Sequence, residues 1–198
     1  ETLKERSPKL VEEVVPAVLK SVDVQKVLHG LLREGVPVRD LETILEVLGD
    51  VGARTKDPET LVEYVRYALC RSVVHRLRDE RSGKLHAVAL DPRLEALLVR
   101  AIERTETGTY LTLSPASLRR VVDAISRSVE RLVVAGHPPV LVTAPQIRVQ
   151  IKRMTDQASL SLTVLSYNEI PRDVPLETEG VVEMPEGLEA PAAAGAGA

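Results

Sequence analysis

Three times in the second half of this chain, a short apolar run of strand character ends on a residue–proline pair and passes at once into a helical period. Residues 84–90 alternate as a strand does and lead into Asp91-Pro92, after which Leu94, Leu97, Leu98, Ala101 and Ile102 take helical spacing. Residues 109–113 lead into Ser114-Pro115 and a helix carrying Leu118, Val121, Val122, Ile125, Val129 and Leu132. Residues 140–143 lead into Ala144-Pro145 and a helix carrying Ile147, Ile151 and Met154, and a last strand over 160–166 closes the series. Intervals of 23 and 30 residues between the three prolines restrict this part to a small α/β layer structure. Right-handed crossovers are expected wherever two successive strands run parallel.

The first half carries only the helical period. Leu10, Val11, Val14, Val15, Val18 and Leu19 form one apolar stripe, which Pro16 should kink or end. Val24, Val27, Leu28, Leu31 and Leu32 form a second, with Gly35 at the C-cap. Asp40 is the N-cap expected for a third helix through Leu41, Ile44, Leu45 and Leu48. Asp57-Pro58-Glu59 opens a fourth, running toward Leu77, with an N-cap, an N1 proline and a first-turn acid. The charged turn 78–83 is the internal boundary. The fold class is therefore α+β: a helical subdomain over 1–83, an α/β subdomain over 84–170, and a tail from 171 to 198. Residues 168–198 hold seven acids and one base, are punctuated by proline and end in alanine and glycine. Such a composition predicts a disordered acidic tail.

Composition removes several classes of function. A net charge of −3 gives no excess of cations for neutralising phosphates, so no nucleic-acid partner is expected. Four tyrosines with no Phe or Trp provide no base-stacking platform, and leave the core to Leu, Val, Ile and Ala. The longest charge-free stretch, 132–147, is interrupted by Gly136-His137-Pro138-Pro139 and falls short of the roughly 20 apolar residues of a membrane span. One cysteine, Cys70, allows no intrachain disulfide and suits a reducing compartment. The first residues carry neither an initiator Met nor a signal-peptide core, as expected of a piece of a longer chain.

The candidates for chemistry read as structural. No phosphate-binding GxxxxGK[ST] or GxGxxG is present, and the strand-to-helix turns carry proline where a phosphate cradle needs backbone donors. His29, His75, His86 and His137 are scattered, with no second ligand at metal-site spacing, so no metal and no cofactor is expected. Cys70 reads as a small core hydrophobe with no histidine base one turn away, although Arg66 precedes it by four residues. Ser114 reads as an N-cap, and Ser166 lacks a nucleophile motif. A catalytic role is expected for none of them. Arg119, Arg120, Arg127 and Arg131 decorate one helix, and Arg148, Lys152 and Arg153 the next. These are either a solvated face or a basic surface for an acidic partner or a neighbouring subunit.

Residues 26–48 (KVLHGLLREGVPVRDLETILEVL) resemble a signature of the FlhA/SctV export-gate family of type III secretion. Residues 56–66 (KDPETLVEYVR), 8–16 (PKLVEEVVP), 139–142 (PVLV) and 164–170 (VLSYNEI) resemble further motifs of that family in the same order. The resemblance implies the last two of four cytoplasmic subdomains of a bacterial inner-membrane protein, reaching the membrane only through an absent N-terminal half. It implies a nonameric ring, contacts with other export-apparatus proteins and export chaperone–substrate complexes, and, from VLSYNEI, the flagellar branch. Chaperone complexes dock in that family mainly on the first two subdomains, which this chain lacks. The function expected is a non-enzymatic docking and ring-forming module, with Arg39, Asp40, Arg119, Arg120 and Arg148 as candidate subunit or partner contacts. A virulence-type homologue, or a free-standing adaptor that binds a partner helix, is the alternative.

Overall fold

The computed structural model describes residues 7–105 and 108–188. The chain divides into two compact units, residues 1–76 and 77–198. The first unit is helical: α1 (Pro8–Val14), α2 (Ser21–Arg33), α3 (Leu41–Gly52), α4 (Pro58–Ala68) and α5 (Cys70–His75). The stripes read from the sequence face mainly inward, with Val14, Val27, Leu31, Ile44, Leu48, Leu61, Val65 and Val74 buried, but Leu32, expected on the second stripe, is exposed. Each such aliphatic side chain stabilises by about 1.5–3 kcal/mol relative to exposure. Within the unit α3 packs on α1 and α4, and α2 packs on α4. Pro16 ends α1, whose backbone is already extended at Val15. The fourth helix breaks at Leu69 and resumes as α5.

The second unit begins with a turn in which Ser82 N–H donates to the Asp79 carboxylate at 2.6 Å. It continues as β1 (Leu85–Leu90), α6 (Pro92–Arg100), β2 (Ile102–Thr105), β3 (Gly108–Leu111), α7 (Pro115–Val134), β4 (Val140–Thr143), α8 (Arg148–Gln157), β5 (Thr163–Ser166), a 3-10 turn (Tyr167–Glu169) and β6 (Leu176–Val182). Four strands form a parallel sheet in the order β5-β4-β1-β6, while β2 and β3 pair antiparallel as a separate hairpin. All four residues of β4 are buried, as a central parallel strand covered on both faces requires. Helix α7 packs against β1 and β6, and α8 against β5 and α7. Leu94, Leu98, Val121, Ile125, Ile151, Leu141 and Val164 share one core with Val88 and Val182.

The α+β class and the aliphatic core agree with the sequence, and four details do not. The strand of the second repeat lies in the hairpin, outside the main sheet, and Ile102 opens β2 after α6 has ended at Arg100. Pro145 does not start α8. The Ala144 N–H is tied to the Glu95 carboxylate at 2.6 Å, and a turn carries the chain to Arg148. The boundary of the tail also moves. Residues 176–182, expected in a disordered segment, form β6 along the β1 edge, with Leu85 N–H donating to Pro175 O at 2.9 Å and Asp91 N–H to Val182 O at 3.0 Å. Val182 is fully buried. Residues 1–6 and 189–198, on which the N-terminal and remaining tail expectations fall, lie outside the described residues.

Candidate partner-binding surface

The loop between α2 and α3 is set by its caps. Gly35 takes a positive φ of 70°, its N–H bonds Leu32 O at 3.0 Å, and Val36 N–H bonds Leu31 O at 2.9 Å. This is the double C-cap bond pattern that a left-handed residue permits, and it buries Val36 beneath the helix end. Arg76 Nη1 holds the Gly35 carbonyl at 2.8 Å. At the far end Asp40 accepts from the Thr43 N–H at 3.1 Å and from the Thr43 hydroxyl at 2.8 Å. Asp40 is thus committed to capping α3. Arg39 beside it is exposed, and its side chain bonds no other described residue. Both residues are exposed, but the Asp40 carboxylate is engaged by Thr43 while the Arg39 side chain is not engaged by a described residue.

Helix α7 starts as the sequence reads, with Ser114 Oγ accepting from Ser117 N–H at 3.1 Å. Its exposed face carries Arg119, Asp123, Arg127 and Arg131 at intervals of four, so they lie along one row. Arg119, Arg127 and Arg131 make no side-chain bond to another described residue. Arg120 is used within the fold: its Nη1 donates to the carbonyls of Glu186 at 3.2 Å and Gly187 at 2.9 Å, tying the segment after β6 to α7.

Arg148 requires a correction. It is 1% exposed, with Nη1 3.5 Å from Val164 O, and so lies inside the unit rather than on a docking surface. Arg148, Ile151 and Thr155 stand at i, i+3 and i+7, on one inward face of α8. Its neighbours are also engaged. Lys152 pairs with Asp156 at 2.7 Å, and Arg153 donates to Thr109 O at 3.0 Å with its guanidinium 5.9 Å from the Tyr110 ring centre. Of the basic residues named on α7 and α8, those facing outward without a bond to another described residue are therefore Arg119, Arg127 and Arg131 of α7.

Other singled-out residues take the following places. Arg66 is buried and pairs with Glu34 at 2.9 Å, while Cys70, expected in the core, is only half-buried. Ser166 and Glu169 of VLSYNEI form a capping box, the buried Glu169 carboxylate accepting from Ser166 N–H at 2.7 Å and Ser166 Oγ at 3.0 Å. Near the start of β1 the Lys84–Glu177 hydrogen bond raises the lysine pKa and lowers that of the carboxyl. Burial, aided by the Glu95 charge, pushes the Tyr167 phenol up.

One group was not legible in the sequence. His86 on β1, His137 after α7 and Glu179 on β6 meet on the second unit. His86 Nδ1 is 2.5 Å from Glu179 Oε1, and the two imidazoles stack with centres 3.7 Å apart and planes within 6°. Two imidazoles and a carboxylate are a donor set suited to a divalent transition metal.

Among known proteins, the chain is 36% identical to the flagellar biosynthesis protein FlhA of Bacillus subtilis over 92% of its length and 27% of that protein. It is 33% identical to the invasion protein InvA of Salmonella typhimurium over 85% of its length and 24% of that protein. The chain thus spans about a quarter of the curated relatives it matches. Its fold matches nonameric SctV-C from EPEC (TM-score 0.78, 29% identity, 91% of this chain and 53% of that one). It also matches the Chlamydia pneumoniae CdsV and CdsO protein complex (TM-score 0.81, 27% identity, 91% of this chain and 52% of that one). No helix among the described residues is long and apolar enough to cross a membrane. The FHIPEP family model matches residues 1–175, spanning both units, and the chain belongs to the FHIPEP family.

Proposed function

We propose that this chain is a docking and ring-forming module of a type III protein export gate, without enzymatic chemistry of its own. It forms the last cytoplasmic part of a longer inner-membrane protein. The observation that carries this reading is the likeness, over 91% of the chain, to a subunit of a nonameric ring. The helical unit then corresponds to the third cytoplasmic subdomain of such a gate and the α/β unit to the fourth. Arg39, exposed beside a cap that fixes its backbone, contacts the neighbouring subunit. The outer row of α7 offers Arg119, Arg127 and Arg131 to acidic segments of other export components or of chaperone–substrate complexes. Exposed charges of this kind steer and select partners more than they tighten binding. Because FlhA and InvA relatives are both close, the choice of branch rests on VLSYNEI, and we assign the flagellar one. Replacing Arg39 by Glu in the full cytoplasmic region tests the reading: ring assembly weakens while the fold persists. Unchanged sedimentation of the variant removes Arg39 from the interface.

A further inference from the structure

We propose that His86, His137 and Glu179 form a binding site for one divalent transition-metal ion, with zinc as the reference ion, that ties the β6 edge and the end of α7 to β1. The backbone brings the three together by separate devices. His86 belongs to β1, an inner strand bonded on both sides. Glu179 is an extra residue: Ala87 pairs with Thr178 and Val88 with Gly180, so Glu179 bulges from the ladder beside His86. A bulge in this position turns a side chain that regular pairing would direct elsewhere.

His137 is placed by the end of α7. Gly136 takes a φ of 87° and bonds Val133 O at 2.9 Å, while His137 N–H bonds Leu132 O at 3.1 Å. Pro138 and Pro139 follow, and Pro139 O accepts from Thr163 N–H at 3.0 Å. The loop carrying the second imidazole is therefore held at both ends.

The donor chemistry fits a metal. In the tautomer that directs an Nδ1 proton at the Glu179 carboxylate, His86 presents Nε2 as a lone pair. One donor atom from each residue lies within 4.8 Å of the others. A tetrahedral ion with bonds of about 2.0–2.1 Å sets its donors about 3.3 Å apart. Side-chain rotation supplies the difference. Ring nitrogens bind in the ring plane, so the stack opens as both imidazoles turn toward the ion, and Glu179 exchanges its hydrogen bond for a metal bond. The fourth position is left to water.

The test is zinc titration of the 198-residue chain, untagged, by isothermal calorimetry and by thermal melting with and without chelator. His86 sits on an inner strand, so the deciding variant is His137→Asn on the surface loop, with its fold checked by circular dichroism. His75→Asn in the helical unit is the control. The expected result is one zinc per chain, a higher melting temperature with zinc, an affinity loss of about tenfold or more in His137→Asn, and no change in His75→Asn. Glu179→Gln, which keeps an acceptor for His86 but is a poor ligand, loses affinity as well. Absence of binding by the parent chain overturns the proposal, as does His137→Asn binding zinc as the parent does, or a loss confined to His75→Asn.

Discussion

Glu34→Gln is expected to unfold the helical unit far more readily than its conservative chemistry implies. Arg66 is 1% exposed and its guanidinium meets the Glu34 carboxylate at 2.9 Å. The amide keeps the shape and an acceptor but removes the charge, taking the Glu34 carboxylate's compensation from a buried guanidinium. At an effective dielectric of about 20 a close pair is worth about 4 kcal/mol, and breaking a buried pair costs about 3–5 kcal/mol. Glu34 keeps some solvent contact at 16% exposure, so we place the loss near the low end, about 3 kcal/mol. At about 4–8 °C per kcal/mol for a unit of this size, the melting temperature falls by roughly 12–24 °C. The two units need separate readouts because they do not have to melt together, and hydrogen exchange of α2 and α4 amides provides one. The double replacement Glu34→Leu with Arg66→Leu should recover most of the loss, since an apolar pair leaves no unpaired charge. A loss below about 0.5 kcal/mol for Glu34→Gln, the behaviour of a surface pair, refutes the reasoning.

Two further outcomes test the second unit. Val182→Ala should cost about 2 kcal/mol, because Val182 is fully buried at the end of β6, and two lost methyl groups leave a cavity. A change under about 0.5 kcal/mol by urea denaturation returns this segment to the tail. Hydrogen bonds from Arg93 hold the Asp91 carboxyl below its ordinary pKa of 3.8. A carboxyl lowered by folding adds stability above its unfolded pKa and loses it as pH falls through the folded value. Melting temperatures should therefore drop on the acid side of the ordinary carboxylate range, and Asp91→Asn should shrink that drop; equal acid slopes contradict it.

Local chemistry was the legible part of the fold. Asp40, Asp57, Asp91 and Ser114 all cap helices, because a cap is decided by a side chain and an N–H two or three residues away. The apolar stripes named the core of both units for the same reason. What escaped depended on distant partners. Residues 176–182 are acidic and glycine-bearing because β6 is an edge strand, where charge guards against further pairing, and the same composition reads as disorder. Arg148 was grouped with Lys152 and Arg153 by charge, although its spacing to Ile151 and Thr155 already put it on the apolar face. The His86–His137–Glu179 group joins a strand, a helix end and a bulge far apart in sequence, and no spacing rule anticipates a bulge.

The central proposal is that this chain contributes subunit contacts to an export-gate ring. Sedimentation velocity of the full cytoplasmic region, run over a range of concentrations beside its Arg39→Glu variant, tests it most directly. A ring-sized species that grows with concentration, and recedes in the variant while circular dichroism is unchanged, is the predicted result. A region that stays monomeric at every concentration, or a ring indifferent to the charge at Arg39, contradicts it.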